Sequence, residues 1–308
     1  MAIPAERAAG GKIARLSVPD LPTTPTRPDD LPRGAVYMTA AGLLFAGMGM
    51  AVKLASAHMS NAQVVFLRNG LGLLALLPFL HALGARGLRT RHFGNHLLRA
   101  LAGLASMYCY FYALARMRLP DAILLNYSTP LLLPLVERVW LKEPLPNRLW
   151  APIGLGFLGI TLVLKPGFGL FQPAAAVALL AAVFGSAAQT GVRRLTATEP
   201  SARIVFYFAF VSTVLASGPA SYSWVAPPVS LWWILLAMGI LATLGQMAMT
   251  GGYAQAPAAQ VGPFIYTSVV FAAALDWLLL RIAPDALSLC GALLVTAAAA
   301  LALRLRTR

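Results

Sequence analysis

Long apolar stretches alternate with short polar connections over residues 34–304, and ten such stretches follow one another. Each is about 20 residues long, the length that an α-helix needs to cross the hydrocarbon core of a bilayer. The pattern therefore predicts ten membrane-spanning helices. The predicted spans are 34–57, 62–83, 96–115, 120–141, 148–164, 174–193, 202–220, 230–250, 258–280 and 285–304.

The last five spans repeat the first five at an offset of about 139 residues. The matched positions are Phe45 with Phe184, Tyr127-Ser128 with Tyr266-Thr267, Glu137 with Asp276, Lys142 with Arg281 and, after one inserted residue, Lys53 with Arg193. Five is an odd number, so the two copies cross the membrane in opposite directions. The predicted fold is an all-α integral membrane protein of ten transmembrane helices, with inverted five-helix repeats at 34–165 and 174–305 around a central cavity.

Residues 1–33 differ in composition from the rest of the chain. They carry six prolines and scattered charges, and such a segment buries too little apolar surface to form a packed core. The segment lacks the apolar central region of a signal peptide, so we do not expect it to be a cleavable signal peptide. We expect a disordered cytoplasmic tail.

The basic residues indicate the orientation. With both termini inside, eighteen of the 24 lysines and arginines fall in the tails and inner connections, Arg99 included, while four fall in the outer loops. Lys53 and Arg68 lie within spans. An excess of Lys and Arg marks the cytoplasmic side, so both termini are predicted to be cytoplasmic. The net charge of +14 then reflects topology, and no nucleic-acid partner is expected.

Composition and motifs exclude several classes of protein. The chain is 59% hydrophobic and only 11% charged, with a mean hydropathy of +0.72, which excludes an ordinary soluble domain. No phosphate-binding loop, zinc-protease pattern or nucleophile elbow occurs, so neither ATP-driven transport nor an enzyme is expected. Cys109 and Cys290 fit no disulfide framework or metal site, and no cofactor or metal is expected.

Several segments of the first half carry a family resemblance. They are Lys53 with Arg68, Phe111-Tyr112-Ala113-Leu114, Leu119-Pro120-Asp121-Ala122, Ser128-Thr129-Pro130, Glu143, and the glycines Gly154, Gly156 and Gly159. With them the chain resembles the EamA-type drug/metabolite transporter superfamily, ten-helix carriers of the bacterial inner membrane. The second half departs from the pattern at Val269 and Ile282. Within the superfamily the chain is most similar to amino-acid exporters, including the aromatic type.

Five charges lie inside predicted spans, where charge is costly and usually functional. They are Lys53, Arg68 and Asp276 in outer thirds, and Glu137 and Arg193 in inner thirds. We predict two alternating gates, Lys53/Arg68 with Asp276 outside and Arg193 with Glu137 inside. Static ion pairs, or an arginine that reaches to the interface, explain the same residues.

Polar and aromatic residues suggest a cavity lining. The candidates are Tyr108, Phe111, Tyr112, Asn126, Tyr127, Gln189, Gln246 and Tyr266. Pro130, Pro134 and Pro263 are predicted to kink their helices and free carbonyls for a ligand. Structural kinks, helix–helix packing and an interfacial aromatic belt are the alternative explanations.

The resemblance and these residues predict a secondary transporter that exports amino acids and related small metabolites by alternating access. Lys53 in the first span favours a carboxylate-bearing substrate over a cation. The absence of a mid-span histidine argues against proton coupling through an imidazole. A lipid-head-group flippase, an assembly subunit and a nucleotide-sugar carrier remain alternatives of the same fold. The expected partners are a small-molecule substrate and the bilayer, and the pattern is compatible with a monomer.

Overall fold

The computed structural model describes residues 30–114, 116, 124–142, 147–165, 173–281 and 285–305, and the regular elements in this part are all helical. A 3-10 turn, Gly262–Tyr266, connects the tenth helix to the eleventh. The helices are α1 Leu31–Ser56, α2 Asn61–Ala75, α3 Leu77–Gly87, α4 Phe93–Leu114, α5 Thr129–Trp140, α6 Trp150–Leu164, α7 Pro173–Thr196, α8 Ser201–Tyr222, α9 Trp232–Gln255, α10 Ala258–Val261, α11 Thr267–Leu280 and α12 Ala286–Arg304.

Length and apolar character identify the membrane spans among these helices. Five segments are long and apolar enough to cross a bilayer alone: Leu31–Ser56, Asn147–Leu164, Pro173–Thr196, Ser201–Tyr222 and Val229–Gln255. The pair of α2 with residues 77–84 of α3, bent by 42°, is a sixth candidate when the two helices are taken as one span. Two shorter apolar helices, Gly262–Leu275 and Ala286–Ala302, fall within the ninth and tenth predicted spans.

Prolines account for the interruptions of the predicted spans. Pro78 occupies the second residue of α3, where the chain breaks after α2, and Pro263 opens the 3-10 turn before α11. A proline removes one helical hydrogen bond and clashes with the preceding turn, so helices bend or restart there. Pro134 lies inside α5, whereas Pro130 lies in its first turn, a position that accepts proline without a kink.

The helices pack in pairs that the sequence repeat makes equivalent. Helix α1 packs on α9 and α4 packs on α7, and these two contacts correspond because α1 matches α7 and α4 matches α9. In the same way α1 packs on α11 while α5 packs on α7. Helix α2 packs directly on its own equivalent, α8. The contacts therefore follow a pseudo-two-fold axis that runs between α2 and α8.

Helices α6 and α12 close one side of the bundle through glycine. A Cβ built on Gly291 would lie 2.5 Å from the carbonyl oxygen of Gly159, and a Cβ on Gly159 would lie 2.7 Å from that of Gly291. Small residues let membrane helices approach until their backbones touch. This contact requires glycine at both positions.

Candidate functional site

Two arginines lie buried in the middle of the bundle. Arg68 of α2 is 7% exposed and Arg99 of α4 is 3% exposed. Each lies about two turns from the start of its helix, and the packing of α4 and α2 on α8 brings both side chains to one place. Charge buried at this depth is costly and usually serves function, so we take the pair as the centre of the candidate site.

Both guanidinium groups lie near the phenyl ring of Phe208 in α8. The Cζ atom of Arg99 is 3.6 Å from the ring centroid, and the Cζ atom of Arg68 is 6.0 Å from it. A guanidinium over an aromatic face gains about 2 kcal/mol when desolvated. Phe208 therefore fixes Arg99 flat against α8 and leaves the edge of the guanidinium for hydrogen bonds.

Neutral side chains satisfy only part of this hydrogen-bonding capacity. Arg68 Nη1 donates to Asn69 Oδ1 at 2.9 Å, and Arg99 Nη2 donates to Gln246 Oε1 at 2.9 Å. The buried Nε and Nη1 atoms of Arg99 have no hydrogen-bond acceptor among the described residues. Because arginine keeps its proton in proteins, the cluster carries two positive charges with open donors.

The small cavity at this cluster is polar but contains no acid. Its volume is about 10 Å³, enough for roughly one water molecule. Its side chains include Arg68, Asn69, Phe208, Thr243 and Gln246, and neither Asp nor Glu is among the described residues that line it. An uncompensated buried charge is strongly destabilising. The two buried positive charges therefore have no acidic counterpart among the described residues that line this cavity.

A glycine on α4 leaves room for the arginine–phenylalanine stack. A Cβ built on Gly103 would lie 2.9 Å from Phe208 Cε2 and 3.2 Å from Arg99 Nη1. Both distances are shorter than ordinary carbon contacts. Gly103 is thus part of the site although it offers no functional group.

The arginine and its ring occupy equivalent positions of the two repeats. Helix α2 begins at Asn61 and α8 at Ser201, so Arg68 corresponds to Phe208. Tyr127 and Tyr266 are likewise equivalent, and their rings meet edge to face at 6.3 Å. An axis that relates inverted repeats lies in the membrane plane, where such carriers bind substrate. Residues that contact their own equivalents therefore mark the middle of the bilayer.

The predicted inner-gate residues meet at the break between α9 and α10. Arg193 Nη1 donates to the carbonyl oxygen of Tyr253 at 2.9 Å, and Glu137 Oε1 accepts from the backbone N–H of Ala258 at 2.8 Å. The carboxylate thus caps the N-terminus of α10, where the helix dipole favours negative charge. Both residues hold the same junction, and their action as a gate stays a prediction.

The predicted outer gate is only partly described. Arg68 contacts Asn69 and Phe208 at the centre of the bundle rather than the outer end. Lys53 lies near the end of α1, and the side chain of Asp276 lies outside the part of the chain that the structure describes. A different ion pair, Lys165 with Asp285, joins the end of α6 to the start of α12. The outer gate stays a prediction.

Three other predicted lining residues form buried contacts away from the arginines. The Tyr127 hydroxyl bonds to Ser268, and Tyr266 is fully buried with a hydroxyl that has no partner among the described residues. Gln189 accepts a hydrogen bond from Tyr253. Of the predicted lining residues, Gln246 is the one that the structure joins directly to Arg99.

The aromatic face predicted on α4 divides in the structure. Tyr108 packs among apolar neighbours that include Val65 and Ala216. Tyr112 is 44% exposed, with Arg116 stacked on its ring at 3.8 Å, as the interfacial interpretation expects. Asn126 is half-buried and its carbonyl accepts from Thr129. The side chain of Phe111 lies outside the described residues.

Two residues of the first turns of α4 correct the sequence analysis. Arg99 was assigned to the inner connections, but it lies buried within α4, which lowers the inner count of basic residues by one without changing its sign. His96, in the first turn of α4, is also buried, which the sequence analysis did not expect. Because it does not lie mid-span, the argument against proton coupling through an imidazole stays a prediction. The available signal was the predicted span itself, since the stretch 96–115 already contains both residues.

Comparison with known proteins adds a family and named relatives. The EamA-like transporter family matches residues 32–165 and again residues 172–304. The pseudopaline exporter CntI of Pseudomonas aeruginosa is 32% identical over 273 residues, covering 88% of this chain and 95% of the relative. The riboflavin transporter of Vibrio cholerae is 28% identical and covers 80% and 84%.

A third relative and a solved structure extend the comparison. The S-adenosylmethionine uptake transporter of Rickettsia bellii is 24% identical and covers 77% of this chain and 82% of the relative. One crystal structure superposes with a TM-score of 0.79 at 21% identity, covering 90% of this chain and 98% of that chain. With the doubled family match, the predicted fold of ten helices in two inverted repeats is confirmed.

Proposed function

Because the chain belongs to the EamA-like transporter family, we propose that it exports amino acids and related carboxylate-bearing metabolites by alternating access. That it is a multi-pass membrane transporter of a small metabolite, and not an enzyme, follows from its family and relatives. The proposal adds the substrate class, the outward direction, the bacterial inner membrane and cytoplasmic termini.

The open donors of Arg99 support the substrate class most directly. Its Nε and Nη1 atoms are buried without an acceptor among the described residues. Each of the two bidentate edges of a guanidinium includes Nη2, one with Nε and the other with Nη1, and Gln246 accepts from Nη2. Because Nη2 has two hydrogens, one to each edge, the edge that Gln246 does not use stays open to a bidentate carboxylate. The amide group of Gln246 and the ring of Phe208 supply neutral contacts for the rest of the substrate.

The closed cavity supports alternating access. A volume of about 10 Å³ cannot hold an amino acid, so the helices around Arg68 and Phe208 must separate on one side to admit substrate. The direction is supported by one named relative, since the pseudopaline protein is an exporter. Another relative is named for uptake, so the direction of transport has to be determined by experiment.

The proximity of the two arginines favours a second candidate substrate. Arg68 and Arg99 share one phenyl ring, and paired guanidinium groups also suit phosphate. The alternative is thus a carrier of phosphorylated metabolites, which includes nucleotide sugars. One transport assay distinguishes the carboxylate-bearing substrates from the phosphorylated ones.

Counterflow in proteoliposomes tests the proposal. Vesicles loaded with unlabelled amino acids are challenged with trace labelled glutamate, phenylalanine, threonine or methionine, and parallel vesicles are loaded and challenged with glucose 6-phosphate. We expect accumulation of at least one amino acid. Accumulation of the phosphate ester alone would favour the alternative, and accumulation of neither in folded protein would reject both.

Substitution of Arg99 connects the activity to the site. We expect Arg99→Gln to reduce counterflow about 10- to 100-fold, because a hydrogen-bonded charge contributes about 1.5–3 kcal/mol. Arg99→Lys should recover little, since lysine lacks the planar fork. Arg148→Gln, which removes an exposed arginine, is the matched control. Equal activity of Arg99→Gln and the control would reject the site.

A further inference from the structure

A second buried cluster lies one turn from Arg99 on α4. His96 is 1% exposed, its Nε2 atom is 3.9 Å from Glu199 Oε1, and its ring centroid is 4.5 Å from that of Tyr207. Residues three apart on a helix share a face, so His96 and Arg99 are neighbours that both face α8. Neither the carboxylate substrate nor the proposed gates use this cluster.

The imidazole of His96 is left without hydrogen bonds. Neither Nδ1 nor Nε2 has a partner among the described residues. A neutral imidazole has one donor and one acceptor, and leaving such groups buried and unsatisfied is costly. A protonated imidazole would instead have two donors, one of them beside the Glu199 carboxylate.

Glu199 is already engaged by its neighbours. Oε1 accepts from Thr90 Oγ1 at 2.6 Å, and Oε2 pairs with Arg203. The charges that act on His96 from the described elements are Glu199 and Arg203 at the start of α8, with Arg99 and His92 on the α4 side. Burial opposes a proton on His96 most strongly, Glu199 favours it, and Arg203 and then Arg99 oppose it. Of these charges, that of Arg99 is the one that an anion bound at the candidate site would neutralise.

We infer that His96 is a proton site linked to the anion site: binding of a carboxylate at Arg99 and binding of a proton at His96 favour each other. The bound anion cancels the charge of Arg99, and a proton from water then binds one imidazole nitrogen while His96 pairs with Glu199. No covalent step is involved. The inference rests on the proposed function for the identity of the anion.

Because the linkage between the proton and the anion is favourable, it determines the direction in which the proton moves relative to the anion. Because each ligand strengthens the binding of the other by the same factor, the proton and the anion occupy the carrier together and move in the same direction. Export is then driven by the gradient of the metabolite itself and not by exchange against entering protons. Acid pH on the loading side raises the apparent affinity for the anion.

The first test needs no substrate. Nitrogen NMR of protein with labelled histidines follows the four imidazoles against pH, and the His96 signal is identified by its loss in His96→Gln or by elimination with the other three variants. Arg99→Gln removes the positive charge at this position and so imitates the effect of a bound anion, which would neutralise that charge. We expect His96 to take up its proton at a higher pH in Arg99→Gln than in the wild type or in Arg148→Gln. An unchanged titration overturns the inference.

The second test uses glutamate as the probe in the intact carrier. The half-saturating concentration in counterflow should fall with falling pH, by up to tenfold per unit, in the wild type and in His81→Gln, an exposed-histidine control. His96→Gln should transport with no such dependence. Retained pH dependence in His96→Gln would contradict the linkage. If glutamate is not carried but the Arg99→Gln titration shifts, the linkage stands and the proposed substrate class fails.

Discussion

At the scale of single residues, the site depends on arginine rather than on positive charge as such. The flat guanidinium of Arg99 covers Phe208 with its face while its edge donates to Gln246 and retains open donors. An ammonium group offers neither this face nor this edge. The ring and the amide thus hold Arg99 in one orientation without a ligand, and a substrate of the proposed class would lose less entropy on binding there.

Gly103 provides a prediction at this scale. Its Cβ would lie 2.9 Å from Phe208 Cε2, so Gly103→Ala should displace the ring from Arg99 and weaken counterflow about tenfold, near the 1–2 kcal/mol expected of the stack. Gly94→Ala is the matched control on the same helix, because its Cβ would meet no atom within 4 Å. Similar transport by both variants would show that the stack is dispensable.

The sequence could identify Gln246 and Arg68 but not their partners. An arginine or glutamine inside an apolar stretch stands out by composition alone, whereas Arg99 lies at the edge of its stretch and resembles a loop cation. Phe208 and Gly103 are ordinary residues in a membrane helix. Their roles depend on which helices face each other, and a single sequence does not contain that information.

At the scale of helices, the sequence predicted where the chain crosses the membrane better than how each span is built. Hydrophobic length located the stretch 258–280, but Pro263 divides it into α10, a 3-10 turn and α11. Pro134 lies inside α5 without ending it, and the kink expected there stays a prediction. Whether a proline breaks a helix depends on whether neighbours satisfy the freed backbone groups.

The Lys165–Asp285 pair provides a prediction about helix ends. Hydrogen bonds from Lys165 and from Ser288 lower the pKa of Asp285 to about 2, and Asp285 Oδ1 accepts from the backbone N–H of Ser288 at the start of α12 at 3.0 Å. Asp285→Asn keeps this cap and loses the ion pair, while Asp285→Ala loses both. We expect melting temperatures in detergent to fall in the order wild type, Asp285→Asn, Asp285→Ala.

The difference in melting temperature between the wild type and Asp285→Asn should become smaller as the pH falls. A lowered carboxyl pKa stabilises the folded state above the ordinary value of 3.8 and loses that effect as pH falls through about 2. The melting temperatures of wild type and Asp285→Asn should therefore converge between pH 4 and pH 2. Lys165→Gln should show the same convergence and add little to Asp285→Asn. A constant gap across this range would mean that the ion pair has no part in stability.

At the scale of the whole molecule, the orientation of the carrier can be measured directly. Ala197 lies in the exposed connection between α7 and α8, and Val229, before α9, is 87% exposed. In a background without Cys109 and Cys290, an impermeant maleimide should label Val229→Cys in intact spheroplasts and Ala197→Cys only after lysis. The reverse pattern would place the termini outside and overturn the interpretation of the basic residues.

The correspondence of Arg68 with Phe208 has a consequence for the energy of the transport cycle. If the two repeats were identical, the two-fold axis would make the outward-open and the inward-open forms equivalent. The empty carrier would then spend equal time in each form. Here one repeat supplies the cation and the other its aromatic partner, so we expect the two forms to differ in energy even without a gradient or a ligand. The empty carrier should therefore favour one of the two forms, because the residues at these equivalent positions differ.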